Sequence, residues 1–447
     1  MNSMPAETRL EPDEVLLRPI LESGRGFYWM VAVLATLGFG GLSAWIYQLY
    51  FGLGVTGLNW PVFWGIYITN FVFFIGISHA GTLISAILRL CHAEWRRPIT
   101  RAAEVITVMV LFFGAGSVIV DLGRPDRALN VILHGQIRSP LIWDVSSISV
   151  YLTGSIIYLF LPLIPDIAIL RDRLPRRRIY RWLALGWQGT GRQKRVLEKA
   201  ISFMAIIIVP IAVSVHTVVS WVFAMTIQPM WHSTIFGPYF VVGAIFSGIA
   251  ALIIAMAMIR YFYRLEDYLK DVCFNNLGLL LLVMSLLWVY FTFAEYLTTY
   301  RGGEPIHMAV FYSKISGPYA VPFWIMVVVC FLIPVGILSN RRTRTVKGTV
   351  VASLGVLVGM YLERYTIVVP TLAQPRLGTE VIPYSPTWVE WALTVSFFSL
   401  FILLYLLFTK FFPIVSIWEI REGREKSVAE VTKRVQEYLP GSAPERM

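Results

Sequence analysis

Cysteine and charge are both scarce in this sequence of 447 residues. The three cysteines, Cys91, Cys273 and Cys330, are far apart, and no Cys-x-x-Cys pair occurs. This spacing argues against an iron–sulfur cluster, a zinc site or a covalently attached haem held by this chain alone. Charged residues make up only 15% of the chain, hydrophobic residues make up 57%, and the mean hydropathy is +0.66. A soluble domain of that composition would expose more apolar surface than water tolerates.

Long apolar runs are what the sequence has in abundance. A helix of about 20 apolar residues matches the hydrocarbon thickness of a bilayer, and ten runs meet that requirement. The predicted fold is therefore all-α, a polytopic membrane protein of about ten transmembrane helices. The predicted spans cover residues 27–50, 61–90, 102–121, 141–164, 200–225, 238–263, 275–299, 318–339, 348–370 and 388–412.

Basic residues alternate from loop to loop, and this alternation accounts for the net charge of +11. Loops 91–101, 165–199 and 340–347 carry clustered Arg and Lys, whereas loops 51–60 and 226–237 carry no Asp, Glu, Lys or Arg. The positive-inside rule then places the basic loops and both termini in the cytoplasm. We expect a bacterial inner (cytoplasmic) membrane and no nucleic-acid partner.

Three segments follow from this topology. The predicted transmembrane domain, 27–412, lies between a cytoplasmic N-terminal segment, 1–26, and a cytoplasmic tail, 413–447. The first segment shows no short apolar region with a small-residue cleavage site, so no signal peptide is expected. Shared features of spans 2–5 and spans 6–9 indicate two parallel four-helix bundles with flanking helices, although unrelated bundles share such features by chance as easily.

Ionisable residues inside a span cost roughly 2.5–3.5 kcal/mol each at the bilayer centre, so they usually face the bundle interior or water. Asp121 ends span 3 and Asp144 lies one turn inside span 4, which puts both carboxylates at the same outer edge. For each aspartate alone, a plain interfacial residue in contact with water is an equal alternative. The other ionisable candidates are His79, His216, Glu295, Glu363 and Arg364.

Polar residues recur at three- and four-residue steps in spans 2, 4 and 7, which gives each helix one polar face. Span 4 carries Asp144, Ser147, Tyr151, Ser155 and Tyr158 on this face. Such faces either join helices through hydrogen bonds or line a hydrated proton route. The candidates for a route are His79, Thr82, Ser85, Ser147, Tyr151, Tyr158, His216, Glu295 and Glu363.

A haem held by two histidines is not expected, because the two deep histidines are predicted to lie at different depths. At 1.5 Å per residue, His79 is roughly 27 Å from the outer end of span 2, and His216 is about 14 Å from the outer end of span 5. We therefore predict that the two side chains do not meet.

Several stretches carry a resemblance to a known family. "DLGRP" at 121–125, followed by the "SPLIWD" span, resembles the NrfD/PsrC-like integral membrane subunits. The stretches at 76–90, 139–168, 293–303 and 359–372 are similar to ActC, the larger such subunit of bacterial alternative complex III. The likeness covers nearly all ten spans.

The resemblance implies a quinol-oxidising subunit of a respiratory or photosynthetic electron-transfer complex, with menaquinol or ubiquinol as substrate and no cofactor of its own. Its implied partners are c-type cytochrome subunits, a periplasmic iron–sulfur subunit, a second NrfD-like membrane subunit and membrane lipids. The implied quinol site lies near the outer surface between Asp121 and Asp144 as catalytic residues, with Arg124 and Arg364 as further quinol-binding candidates. ActC-like chains commonly have histidine where this chain has Asp121.

Two other functions stay open. One is a non-catalytic NrfD-type membrane anchor or proton-path subunit of the same or a related oxidoreductase. The other is a secondary transporter, which predicts helices broken at matching positions in both halves of the chain. Gly114, Gly116 and Pro210 do not provide such a match. The chemistry itself favours quinol oxidation, because a carboxylate beside a quinol hydroxyl can accept its proton.

Overall fold

The structure is a computed structural model that describes residues 12–374 and 384–438. The outermost parts of the two predicted cytoplasmic segments, 1–11 and 439–447, lie outside the described residues. Ten described helices are long and apolar enough to cross a membrane, which confirms the predicted all-α fold. In chain order, spans 1 to 10 are Arg25–Phe51, Ile66–Leu90, Thr100–Asp121, Pro140–Arg173, Gly191–Ala224, Phe236–Tyr263, Asp271–Gly302, Ala320–Leu338, Val346–Leu372 and Trp388–Phe411.

Shorter helices lie between and beyond the spans. They are Pro12–Leu21, Asn130–Leu133, Ile179–Leu183, Pro305–Ile315 and Ile417–Tyr438, together with 3₁₀ turns at Leu53–Val55, Glu94–Arg96 and Pro125–Arg127. Two spans contain π-helical turns, Ala80–Ile84 in span 2 and Val328–Leu332 in span 8. Such turns interrupt the regular backbone hydrogen bonds and are frequent at functional sites.

Local chemistry explains where the helices begin. A bilayer offers the backbone no hydrogen-bond partners, so each apolar run satisfies its own N–H and C=O groups as a helix. Thr190 and Gln193 form a capping box that starts span 5 well before its apolar core. Thr345 caps span 9 by accepting a hydrogen bond from the Gly348 N–H. These caps extend the helices beyond the predicted apolar limits.

The spans pack as two groups of four with a flanking pair. Spans 2, 3, 4 and 5 contact one another in a ring, as do spans 6, 7, 8 and 9. Span 2 packs on spans 6 and 9 and so joins the two groups, while span 10 pairs with span 1. This arrangement matches the predicted two bundles with flanking helices. Span 2 is central, with 88% of its apolar core buried, against 17% for span 1.

Small residues allow two of these helix pairs to approach closely, as is common in membranes. A Cβ on Gly41 of span 1 would lie 2.4 Å from the Cβ of Ser396 in span 10. A Cβ on Gly81 of span 2 would lie 1.9 Å from the Ala103 carbonyl oxygen in span 3. Both pairs would separate if either glycine carried a larger side chain.

The two ends of the bundle differ in charge. What we call the basic side holds the loops between spans 2 and 3, spans 4 and 5, and spans 8 and 9, and it also holds the C-terminal helix, where Glu419 binds Arg96. On the opposite side, the Gly57 N–H donates to Glu390 and the Trp231 indole donates to the Ile367 carbonyl. These contacts agree with a chain that crosses the membrane ten times in succession. Assignment of the basic side to the cytoplasm stays a prediction.

Candidate functional site

Asp121 ends span 3 on the opposite side and is only partly exposed. Its Oδ1 atom is buried and has no hydrogen-bond partner. The neighbouring backbone is fixed, because the Gln48 side chain donates to the Val120 carbonyl at 2.9 Å and accepts from the Tyr67 hydroxyl at 2.6 Å. Asp121 therefore presents a free carboxylate oxygen from a rigid position.

Glu390 is the acidic residue within electrostatic reach of Asp121. It differs from Asp121 because its oxygens are fully used. The backbone N–H groups of Gly57 and Thr387 donate to Oε2 at 2.7 and 2.8 Å, and the Tyr384 hydroxyl donates to Oε1 at 2.5 Å. Glu390 thus closes the opposite-side loops, whereas the Asp121 carboxylate is left available.

Asp144 lies one turn into span 4 and is also partly exposed. Its Oδ1 atom is buried without a hydrogen-bond partner. The surrounding turn is held by the Ser147 hydroxyl, which donates to the Asp144 backbone carbonyl at 3.0 Å, and by the Trp143 indole, which donates to the Ile137 carbonyl at 2.5 Å. The carboxylate itself remains free.

Asp121 and Asp144 share a side of the bundle, but among the described residues no hydrogen bond or electrostatic contact links them. Their assignment to one pocket stays a prediction. Arg124 lies on the surface, with 64% of its side chain exposed, and donates to Asp126 through Nε and a terminal nitrogen at 3.0 and 2.9 Å. The structure thus places Arg124 beside Asp126 rather than beside either predicted catalytic aspartate.

Arg364 lies in the bundle interior, where it forms a buried ion pair with Glu363. Glu363 also accepts a hydrogen bond from the Trp288 indole at 2.8 Å. Gly243 leaves room for Arg364, because a Cβ there would lie 2.7 Å from a terminal guanidinium nitrogen. That guanidinium is within electrostatic reach of His79. Arg364 therefore belongs to the interior cluster and not to the surroundings of Asp121.

The predicted separation of His79 and His216 is wrong, because their ring centroids lie 3.8 Å apart. Counting residues from each helix end assumed that both helices start at one depth and run along the membrane normal. Span 2 starts at Ile66 rather than at residue 61, and spans commonly tilt by about 20°. Rings in direct contact leave no space between them for a haem plane.

The histidine pair is fully buried, and its two members differ in their partners. His79 Nε2 lies 2.6 Å from the Ala212 carbonyl oxygen, and its Nδ1 lies 3.1 Å from the Ile75 carbonyl oxygen. Only a doubly protonated ring can donate to both carbonyls. His216 has no hydrogen-bond partner at either ring nitrogen. The pair brings an imidazole of span 2 into contact with an imidazole of span 5.

The predicted polar faces of spans 2 and 4 meet inside the bundle. The Tyr151 hydroxyl lies 3.0 Å from the Ser78 carbonyl oxygen and 3.2 Å from the Thr82 hydroxyl. Two turns further along span 4, toward the basic side, the Tyr158 hydroxyl lies 3.2 Å from the Ser85 hydroxyl. These contacts bring the side chains into one interior column that begins at the histidine pair.

Glu104 lies at the basic-side end of this column, and sequence reasoning did not identify it. The Ser85 hydroxyl donates to its carboxylate at 2.6 Å, and the residue is 3% exposed. Glu104 follows Arg101 near the start of span 3, so it looked like part of a charged boundary. The signal that identifies it is its helical spacing, because Thr107 on the next turn is buried on the same side.

A second interior cluster surrounds Glu295. Its Oε2 atom is buried without a hydrogen-bond partner, and the buried Lys314 ammonium is within electrostatic reach. A cavity of about 30 Å³ between them is also lined by Thr292 and holds enough space for a water molecule. Lys314 lies on the helix Pro305–Ile315 in the opposite-side loop, and sequence reasoning did not identify it.

The comparisons with known proteins agree with this architecture. The family described as polysulphide reductase, NrfD, matches residues 54–376. A putative membrane subunit of dimethyl sulfoxide reductase from Halobacterium salinarum is 29% identical over 55% of this chain, and the match spans 54% of that protein.

Two longer matches cover nearly the whole chain. A selenate reductase subunit of Mesobacillus selenatarsenatis is 24% identical over 86% of this chain and 93% of its own length. An Hdr-like menaquinol oxidoreductase integral membrane subunit of Archaeoglobus fulgidus is 23% identical over 91% of this chain and 96% of its own length. With a family match across most of its spans, the chain belongs to the NrfD polysulphide reductase family.

Proposed function

We propose that this chain is the quinol-oxidising membrane subunit of an electron-transfer complex similar to alternative complex III. The supporting observation is that Asp121 and Asp144 each keep one buried carboxylate oxygen without a hydrogen-bond partner, on the same side of the bundle. An unsatisfied buried acceptor costs about 1–3 kcal/mol, so a ligand that donates a hydrogen bond would offset that cost. A quinol hydroxyl is such a donor.

The proposed reaction removes two electrons and two protons from the quinol ring. A carboxylate near a ring hydroxyl accepts a hydrogen bond first and then the proton. Asp121 is proposed to serve one hydroxyl and Asp144 the other, while Arg124, which binds Asp126, and Arg364, which binds Glu363, are left out of the proposed site. The Archaeoglobus relative is named for a menaquinol oxidoreductase, so menaquinol is the substrate to test before ubiquinol.

We propose that the electrons pass to another subunit of the complex. We infer an iron–sulfur subunit against the opposite-side segments 122–140 and 300–317, followed by c-type cytochromes. Three apolar side chains near the aspartates support a protein partner there. Leu129, Leu133 and Ile137 are 66%, 71% and 85% exposed.

Proton release to the opposite side is the simplest consequence of this site. The interior column that joins His79 and His216 to Tyr151, Tyr158, Ser85 and Glu104 supports a second, coupled movement of protons from the basic side. Glu295 and Glu363 are the proposed members in the other bundle. This column also supports the alternative function, a non-catalytic subunit that anchors the complex and conducts protons.

The test is quinol oxidation by the intact complex with Asp121→Asn or Asp144→Asn in this chain. Loss of a general base lowers a rate by about 100-fold to 10,000-fold, and we expect kcat/KM for quinol to decrease by a factor in that range. Asp126→Asn is the matched control, because Asp126 lies on the same side but is exposed and paired with Arg124. The set of subunits that purify together checks that each complex has assembled.

The two proposed functions give different results in this test. If both aspartate variants oxidise quinol at the rate of the Asp126→Asn control, the catalytic role is wrong and the anchor function is favoured. If only one variant loses activity, a single carboxylate serves the quinol site, and the other aspartate does not belong to it.

A further inference from the structure

A large apolar cavity of about 990 Å³ lies between the span 1–span 10 pair and the bundle of spans 6–9. Its floor is the buried surface of span 2, including Phe73 and Ile77. A hydrogen-bonded set closes this floor, because Tyr361 donates to the Asn70 side chain at 2.8 Å and Asn70 donates to Thr394 at 2.8 Å. The cavity does not include Asp121, Asp144 or the histidine pair.

The cavity has an open flank that faces the membrane. Phe262 on span 6, Val358 on span 9 and Trp391 on span 10 line it and are 59%, 55% and 49% exposed. Access from the lipid phase therefore requires no movement of the helices. The volume is at the top of the range of about 300–1,000 Å³ that is usual for pockets that hold small molecules.

Most of the lining belongs to the half of the membrane on the basic side. On span 6 it runs from Ala251 to Arg264, about 20 Å of helix, which is roughly one leaflet and its headgroup region, while on span 10 it extends from Lys410 at the basic side as far as Trp391 near the opposite side. The hydrocarbon chains of a lipid in this leaflet fit the length of the lining on span 6.

Basic residues surround the mouth of the cavity. Arg264, Lys410 and Arg18 line it, and Arg18 is paired at 2.8 Å with Glu22, the acidic residue among the described lining residues. Lys410 donates to the backbone carbonyls of Pro19 and Glu22 at 2.5 and 2.6 Å, which fixes its position. Arg264 ends span 6 in a left-handed conformation, is exposed, and has no partner among the described residues.

We propose that this cavity is a binding site for one anionic phospholipid from the leaflet on the basic side. Its acyl chains fill the apolar cavity, and its phosphate binds the Arg264 guanidinium and the Lys410 ammonium. The Tyr263 hydroxyl and Thr409 hydroxyl, 2.6 Å apart at the same level, lie below the headgroup. The lipid would join the flanking helix pair to the bundle of spans 6–9.

The test reconstitutes the intact complex into vesicles of phosphatidylcholine with one tenth phosphatidylglycerol, extracts it in mild detergent, and quantifies the lipids that remain bound. We expect phosphatidylglycerol to be enriched over its share in the vesicles. Arg264→Gln should lower that enrichment about fivefold, the factor contributed by one basic residue near an anionic headgroup. Arg341→Gln is the matched control, because Arg341 is exposed on the same side but does not line the cavity.

A second variant tests the cavity independently of charge. Ala255 lines the cavity on span 6, and Ala255→Trp fills part of it, so bound phospholipid of both headgroup types should fall. Equal enrichment in the parent, Arg264→Gln and Arg341→Gln complexes would overturn the proposal, because the bound lipid would then be a general surface layer. Release of a quinone rather than a phospholipid by Ala255→Trp would also overturn it, since the cavity would then hold an isoprenoid chain.

Discussion

Buried carboxylates on the two sides of this membrane protein are surrounded in different ways. On the basic side, Asp166 forms an ion pair with Arg101 and accepts from the Ile417 and Trp418 N–H groups, and Glu419 binds Arg89 and Arg96. On the opposite side, Asp121 and Asp144 each leave a buried oxygen unpaired. An acid with every oxygen satisfied holds helices together, whereas an acid with a free oxygen is available to a ligand.

Glu390 shows that this difference belongs to individual residues and not to a whole side. It lies on the opposite side with Asp121, yet it accepts from Gly57, Thr387 and Tyr384. The comparison therefore separates acids with every oxygen satisfied from acids with a free buried oxygen on the same side of the bundle. Five experiments test how far this difference holds.

The largest effect on stability is expected from Glu419→Gln. Two nearly buried arginines, Arg89 and Arg96, would lose their charged partner, and breaking such a pair costs about 3–5 kcal/mol. Thermal unfolding of the purified complex measures this change. Glu422→Gln, in the next turn and more exposed, is the control. Equal stability of the two variants would show that Glu419 is not the structural acid described here.

Lowering the pH should produce the same loss of stability in the parent chain, because it protonates Glu419. Burial alone would raise the pKa of Glu419, but the charges of Arg89, Arg96 and Arg101 hold its pKa below the usual value. A carboxylate whose pKa is lower in the folded state than in the unfolded state stabilises the fold. This stabilisation is fully present above the unfolded-state pKa and is lost as the pH falls through the folded-state pKa. The acid-dependent loss should disappear in Glu419→Gln.

Lys314 should give a pH-dependent effect of the opposite kind. Burial lowers the pKa of Lys314 to about 8, although Glu295 partly opposes this. The unfolded chain then binds the proton more tightly than the folded one, so stability rises between pH 8 and 10.5, by roughly 3 kcal/mol. The melting temperature should no longer rise over this pH range in Lys314→Met, and it should still rise in the exposed control Lys347→Met. If the melting temperature of Lys314→Met rises as it does in the parent, Lys314 is not the cause of the pH dependence.

A smaller change in stability, about 1–3 kcal/mol, is expected from His79→Ala, because the Ala212 carbonyl would lose its partner. Its functional readout is proton uptake by vesicles that contain the complex during quinol oxidation. We expect uptake from the basic side to be lost while quinol oxidation continues. Ser149→Ala, on the exposed face of span 4, is the control. Full proton uptake in His79→Ala would exclude His79 from the route.

The smallest effect is expected from Arg124→Gln. The Arg124 side chain is exposed and already bound to Asp126, and such pairs change equilibria little, so the KM for quinol should change less than about fivefold. Steady-state kinetics of the assembled complex measure this. A much larger increase in KM would place Arg124 at the quinol site, as the sequence predicted, and would require the loop to rearrange when quinol binds.

Hydropathy and charge predicted the ten spans because both follow directly from the cost of exposing backbone and charge to lipid. Helical spacing also identified which residues of spans 2 and 4 share a face, and Thr82, Ser85, Tyr151 and Tyr158 do meet. These features depend on one helix at a time, so a linear sequence contains them.

Relative depth between helices was not predictable in the same way. His79 and His216 meet because of where their helices start and how they cross, which residue counting does not include. Glu104, Asp166 and Glu419 were missed for a related reason. They lie near Arg-rich boundaries, where a solvated charge is the usual interpretation, and only tertiary packing shows that they are buried.

The attachment of the C-terminal helix also sets the order in which this protein can be completed during synthesis. Arg96 and Glu419 are bonded but lie 323 positions apart in the chain. At about 5–20 residues per second, the ribosome supplies Glu419 roughly 20–60 s after Arg96. During that interval Arg89 and Arg96 do not have the Glu419 carboxylate to neutralise them. The C-terminal helix therefore docks only after the ten spans have been synthesised, and a nascent chain that stops after span 10 leaves Arg89 and Arg96 without their acidic partner.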